Sequence, residues 1–188
     1  MTVRVLLMTP VTGTGRGARF GDDEAPDDAA LRSARAVAAR LPGRTRAYAA
    51  PGACCRATAG ALGVHAVPAR ELADLDTGRW RGREPDEVAA AEPAALAAWL
   101  SDPAAAPHGG ESVLALAART TRWLAAQAGA GGRVLAVVPQ AVVRAAVVGA
   151  LELPPAVFWR LDVPPLSATE LTGRAGRWNW RCARLPED

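Results

Sequence analysis

Apolar and polar positions alternate between two periods along this chain. Val3–Met8 is an apolar run of strand length, closed by Thr9–Pro10. Asp27 and Asp28 can cap a helix that carries Leu31, Ala34, Val37 and Leu41 on one face and stops at Pro42–Gly43. A short strand is expected over Arg46–Ala50, and Pro51 opens a helix to about Leu62. Asp86–Leu100 reads as an alanine-rich helix interrupted at Pro93, and Glu111–Gln127 as a second, with Leu114, Ala118, Thr121, Leu124 and Ala125 in register. "RVLAVV", Arg133–Val138, has the continuous apolar character of a buried strand, and Ala141–Leu151 is the helix after it. Ser167–Thr172 and Arg177–Arg184 form a terminal hairpin around "GRAG", with Trp178, Trp180 and Cys182 alternating onto one face.

Strands alternating with helices predict one α/β domain over residues 1–188, built on a largely parallel sheet. Ligands in such sheets lie beyond the carboxyl ends of the strands, which here means the loops at Thr9 and Pro139. The loop after the first strand, Gly13–Thr14–Gly15–Arg16–Gly17–Ala18, fits G-x-G-x-x-A. A dinucleotide site needs a helix to open at that point, its amino end facing the pyrophosphate. The chain continues instead as "RFGDDEAPDD", and it holds no lysine to complete a P-loop. Nucleotide binding is therefore rejected.

Composition narrows the partners. The 22 basic and 19 acidic residues leave a net charge of only +3, and every basic residue is arginine. The arginines are dispersed, usually near an acid, rather than gathered as a nucleic-acid surface requires. No apolar run approaches the ~18 residues of a membrane span, and the amino terminus does not read as a signal peptide. Cys54, Cys55 and Cys182 have neither zinc-ligand spacing nor an even count. The expectation is a cytoplasmic protein without metal or cofactor, partnered by a small molecule and not by nucleic acid or membrane. A homodimer is compatible with it.

Five motifs in order, and the ending after them, resemble the histidine phosphatases, the phosphoglycerate-mutase-like proteins. Leu7–Met8–Thr9–Pro10–Val11–Thr12–Gly13 is similar to L-V-R-H-G-x-T, and Ala50–Ala59 to S-P-L-x-R-A-x-Q-T-A. Leu72, Asp74, Gly78, Trp80 and Gly82 match L-x-E/D-x-x-x-G-x-W-x-G, and "PHGGES" resembles the loop before the family's long helix. "VLAVVPQAVVRAAVVGAL" is similar to V-L-V-V-x-H-G-x-V-I-R-A-L, with Arg144 in the place of its arginine, and "PPLSATELTGRAGRW" follows the final hairpin. The resemblance implies a three-layer α/β/α fold with a mostly parallel sheet.

It also implies where the chemistry should be. In that family one histidine attacks phosphorus, two arginines and a second histidine hold the phosphoryl oxygens, and a carboxylate protonates the leaving group. Those positions read Pro10, Thr9 and Cys54, Pro139, and Asp74 here. Proline carries no side-chain nitrogen, so no phosphohistidine can form at Pro10 or Pro139. Neutral residues at the arginine positions remove the charge that offsets a phosphoryl anion.

The expected site is thus a mostly apolar pocket for a small unphosphorylated molecule, with Thr9, Pro10, Thr12, Arg16, Cys54, His108, Pro139 and Gln140 as candidate contacts. Asp74 is the candidate general acid or base, its pKa raised by apolar neighbours; the alternative is a solvated aspartate without a role. Cys54 is a nucleophile or a small hydrophobe, Arg16 an anion contact or a loop arginine, and Gln140 a ligand contact or a helix cap. His108 is expected at the pocket rim and His65 in a structural or surface role. Two functions follow: cofactor-independent acid–base chemistry such as cyclisation, isomerisation or elimination in secondary metabolism, or non-catalytic binding of a metabolite or protein.

Overall fold

A computed structural model describes residues 1–12, 17–41 and 46–181. The elements in chain order are β1 (Thr2–Met8), α1 (Asp28–Val37), β2 (Arg46–Ala49), α2 (Ala53–Ala61), β3 (Val67–Pro68), α3 (Pro85–Ala91), α4 (Pro93–Ser101), α5 (Val113–Ala130), β4 (Gly132–Val137), α6 (Gln140–Ala150), β5 (Ala168–Arg174) and β6 (Arg177–Arg181). The expected stop at Pro42–Gly43 lies outside the described residues, as does Cys182.

Local chemistry explains most boundaries. Asp27 Oδ1 accepts from Ala30 N–H at 2.8 Å and starts α1. Ser112 Oγ accepts from Ala115 N–H at 3.2 Å and starts α5, which ends where Gly131 takes a φ of +63°. Pro93 divides the alanine-rich stretch into α3 and α4, because it has no N–H to continue the ladder. Glu84 and Glu87 form a reciprocal cap at the start of α3.

The strands form one sheet in the order β3-β2-β4-β1-β5-β6. β1, β2, β3 and β4 run parallel to one another, while β5 and β6 add an antiparallel edge beside β1. The connections through α1 and α2 step from β1 outward to β3, and the one through α5 steps back to β4. Right-handed crossovers therefore put α1 and α2 on one face and α5 on the other. α1 packs on α2 and α5 on α6, giving the three-layer α/β/α architecture. Val3, Val5 and Leu7 of β1 and Val134–Val137 of β4 are buried, so the sheet's centre is the core of the molecule. Each valine or leucine among them contributes about 1.5–3 kcal/mol by leaving water.

Two features differ from the sequence pattern. β3 is only two residues long, too short for any periodicity, and pairs with β2 through Tyr48 and Ala49. The alternation in β6 does not mark one buried face: Trp178 packs beneath Gly173, whereas Trp180 is 52% exposed at the sheet's edge. Gly173 leaves the space its cross-strand indole fills, since a Cβ there would lie 2.7 Å from the ring.

Candidate functional site

The parallel strands β1, β2 and β4 end at the same edge of the sheet, and the chain leaving each one helps to line a cleft of about 350 Å³. Pro10 and Thr12 come from β1, Pro51, Gly52, Cys54 and Cys55 from the β2–α2 corner, and Pro139 and Gln140 from the β4–α6 corner. Ala73 and Asp74 enter from the loop after β3, and Gly21, Asp22, Asp23 and Arg81 close the remaining side. A second concavity of about 730 Å³ continues past Asp22 and Asp23 toward Arg19 and Glu24.

Six sequence-predicted positions meet in this cleft: Pro10, Thr12, Cys54, Asp74, Pro139 and Gln140. Two do not. Thr9 is fully buried and turned away from it. Its hydroxyl donates to Pro164 O at 2.8 Å and accepts from Ser167 N–H at 2.8 Å, so it ties the end of β1 to the turn before β5. A strand's side chains alternate, and Thr9 continues onto the face opposite its neighbour Pro10. His108 does not rim the cleft either. It is 2% exposed, wedged against Trp80 and Trp99 with ring centroids 4.9 and 5.8 Å away. Arg16 lies outside the described residues. His65 is exposed, in keeping with a surface position.

Asp74 is exposed to the cleft but ringed by its walls, so its charged form is poorly solvated. That burial pushes its carboxyl above the ordinary 3.8. The Leu75 N–H, which donates to Oδ1 at 2.8 Å, opposes the rise, as do Arg119 and Arg81, while Asp23 adds to it. A carboxyl of this kind keeps its proton to higher pH than an ordinary aspartate, which is the property a general acid or base uses.

Cys54 is in the opposite condition for chemistry. Its thiol donates to Val11 O at 2.8 Å, and burial, with Asp23 and Asp22 nearby, pushes its pKa up to about 11. Cys55 is buried and raised further. Neither supplies a thiolate at neutral pH, which favours the reading of Cys54 as a small hydrophobe. Gln140 is the first residue of α6, where Pro139 as N-cap offers no side-chain acceptor.

The sequence pattern missed Asp22, Asp23 and Arg81. They reach the cleft because Phe20 is anchored: its ring packs on Trp80 and Trp99, its N–H donates to Arg83 O at 3.0 Å, and its carbonyl accepts from Gly82 N–H at 2.8 Å. The acids that follow Phe20 are thereby carried over the α2 end. Asp23 Oδ1 accepts from Cys54 N–H at 3.3 Å there, and Arg81 leans toward Asp76 at 3.5 Å. Arg144 is structural: Nε donates to Leu161 O at 2.8 Å and the guanidinium lies 5.9 Å from the Phe158 ring centroid. Among the described residues no group of His, Cys, Asp and Glu is placed to hold a metal ion, and no helix is long and apolar enough to cross a membrane.

Comparison with known proteins settles the lineage. Residues 22–185 match the histidine phosphatase superfamily, branch 1. The chain belongs to that superfamily. No functionally curated protein matches it. Among solved structures, the mycobacterial glucosyl-3-phosphoglycerate phosphatase superposes with a TM-score of 0.82 at 23% identity, covering 96% of this chain and 97% of that one. A phosphoserine phosphatase variant from Entamoeba histolytica in complex with phosphoserine gives 0.83 at 16% identity, over 96% and 95% of the two chains. The alpha-ribazole phosphatase from Shigella flexneri gives 0.80 at 16% identity, over 95% and 94%. At these identities the likeness is one of histidine-phosphatase fold.

Proposed function

We propose that this histidine-phosphatase-fold protein is not a phosphatase or mutase, and that its cleft takes a small, largely apolar, unphosphorylated metabolite on which Asp74 performs cofactor-independent acid–base chemistry. The observation that carries this reading is the company Asp74 keeps. Pro10 and Pro139 flank the same cleft, at positions that resemble the family's two catalytic histidines. Proline cannot accept a phosphoryl group. Asp22 and Asp23 line the cleft, and of the described residues only Arg81 brings it positive charge. Such a lining disfavours a phosphate dianion and accepts a neutral or cationic head on an apolar body.

Asp74 has the remaining attribute. Its raised pKa suits a proton delivered to one substrate atom and withdrawn from another, as in a cyclisation, isomerisation or elimination. Such steps need no external electron acceptor. Pro10, Pro51, Ala73 and Pro139 would hold the substrate's apolar part in a reactive conformation. Natural-product biosynthesis is the setting that fits this chemistry. The alternative, a non-catalytic pseudophosphatase that binds a metabolite or partner, would leave Asp74 idle; an open cleft with the acid on its wall favours the enzyme.

A matched ligand series tests the reading. Benzylamine, benzyl alcohol and phenyl phosphate should be titrated into labelled protein and followed by NMR. The amine and alcohol are expected to shift Ala73 and Asp74 resonances, and the phosphate to leave them unchanged. Turnover of phenyl phosphate that Asp74→Ala abolishes would overturn the proposal. Once a substrate is identified, unchanged turnover in Asp74→Asn would sink the acid–base role while leaving the binding role standing.

A further inference from the structure

Arg119 lies on α5, outside the cleft, yet it is the residue most tightly engaged with the chain that carries Asp74. Its side chain is only 17% exposed. Nε and Nη2 donate to the two carboxylate oxygens of Glu111, at 2.7 and 2.8 Å. The remaining donors go to main chain: Nη1 to Glu71 O at 2.7 Å, and Nη2 to Ala73 O at 2.8 Å and Asp74 O at 3.0 Å. One planar fork therefore satisfies a carboxylate and three carbonyls at once, which an ammonium on a flexible stem cannot do.

Two further bonds close the frame. Glu111 N–H donates to Asp76 O at 2.7 Å, and Arg79 N–H donates to His108 O at 3.0 Å. Gly110 and Gly78 allow this approach, because a Cβ on either would collide with the backbone of Asp76 or His108. The strip Glu71–Arg79 is thus sewn to His108–Glu111 and to α5 on both sides of Asp74. Within that strip the Asp74 carboxylate takes its direction from one bond, that from Leu75 N–H.

We infer that Arg119 is the positioning residue of the cleft: paired with Glu111, it fixes the main chain at Ala73–Asp74 and so aims the Asp74 carboxyl into the cleft. It acts through the backbone and touches no ligand itself. The inference rests on the reading of Asp74 as the cleft's working acid.

The test compares Arg119→Lys and Glu111→Gln with the parent protein by two measurements that need no ligand. One is amide hydrogen exchange; the other is the titration midpoint of Asp74, followed by carboxyl ¹³C shift. In Arg119→Lys, exchange at Leu75 should quicken by about tenfold or more while β1 and β4 amides stay unchanged. The Asp74 midpoint should fall toward that of an ordinary aspartate as the carboxyl turns to open solvent. Glu111→Gln keeps an oxygen acceptor for the fork and should move both readings the same way, less far. Unchanged Leu75 exchange and Asp74 midpoint would overturn the inference. So would acceleration spread equally over β1 and β4, which would mean a merely structural role. If Arg119→Lys does not fold, Glu111→Gln decides by the same two readings. Failure here leaves the ligand series above untouched, and a cleft that binds none of that series leaves the clamp standing.

Discussion

The Asp23 carboxylate lies against the first turn of α2, accepting from the Cys54 backbone N–H at 3.3 Å. By its resemblance to the family's motif, Cys54 holds a place where an arginine is expected, and Asp23 brings an acid to that corner of the cleft. The same contact sets the state of the thiol. Asp23 and Asp22 add to the burial that raises Cys54 to about 11. Alkylation of Cys54 by iodoacetamide should therefore be negligible at pH 8 and rise only as pH approaches that value. Asp23→Asn should lower the midpoint but leave it above the ordinary 9.0, because burial is the largest cause. The pH profile of alkylation, read by mass spectrometry, checks both statements.

Thr9 predicts a stability effect without a ligand effect. Thr9→Val keeps the shape but strands Ser167 N–H, which donates to the Thr9 hydroxyl at 2.8 Å, and leaves Pro164 O to the Ser167 hydroxyl alone. The cost should be about 1–3 kcal/mol in urea denaturation. Thr9→Arg, the substitution the family pattern invites, should be worse, because it places a guanidinium where the side chain is fully buried. Binding in the cleft should be unaffected by Thr9→Val. A change in the benzylamine or benzyl alcohol titration would show that Thr9 reaches the ligand after all.

Asp74 predicts the pH dependence of stability in a definite direction. Its folded pKa lies above the 3.8 of the free residue, so its contribution is fully present below that value and is lost as pH rises through the folded pKa. Asp74→Asn removes the ionisable group. The variant and parent should melt alike near pH 3.5, and the variant should melt at an equal or higher temperature at pH 7.5. A variant markedly less stable at pH 7.5 would contradict the raised pKa.

His108 predicts the converse slope. Burial lowers its pKa from 6.5, with Arg79 adding to the fall and Asp76 opposing it. Protons bind the unfolded chain more readily, so this stability is present above about 6.5 and is lost as pH falls toward the folded pKa. Nδ1 accepts from Gly110 N–H at 3.0 Å, which leaves the proton on Nε2 among the indoles. His108→Phe gives up that bond, and its loss of stability should be largest near pH 7.5 and smaller near pH 5. Parallel curves for the two proteins across that range would show that His108 does not titrate on unfolding.

Gly110 predicts the cost of opening the frame around Asp74. Gly110→Ala drives a Cβ into the Asp76 carbonyl, which is backbone and cannot swing aside. The loss should be about 3 kcal/mol or more, whereas Gly60→Ala, inside α2 where a Cβ meets nothing within 4 Å, should stabilise by about 0.5–1 kcal/mol. Denaturant midpoints of the two variants make the comparison.

Much of this was readable in one dimension because it depends on near neighbours in the chain. The apolar run at Val3–Met8 and the one at Val134–Val137 could only be central strands, and the helices of their crossovers carry caps written in Asp27 and Ser112. Parallel strands end at one edge, so the loops at Thr9 and Pro139 belong together on the sequence alone, and Cys54 joins them through its resemblance to the family's motif. Asp74 followed from the resemblance of Leu72–Gly82 to the family's motif. These are local relationships, and a motif preserves them.

Tertiary structure decided what faces the cleft. Thr9 sits beside Pro10 in the chain, yet it turns to Pro164 and Ser167, more than 150 residues away. His108 belongs to the loop that holds Asp74, but Trp80 and Trp99 enclose it. Asp22 and Asp23 look like solvated loop acids until Phe20 packs into the same aromatic cluster and swings them over α2. Arg119 looks like one more surface arginine on a helix until it meets the carbonyls of Glu71, Ala73 and Asp74. Hydrophobic periodicity reports which side of an element is buried and says nothing of which distant segment covers it. The sequence alone determined the α/β class, the largely parallel sheet and every strand but β3, because these follow from patterning along the chain. The acids that line the cleft, and the backbone frame around Asp74, depended on contacts between segments that only packing brings together.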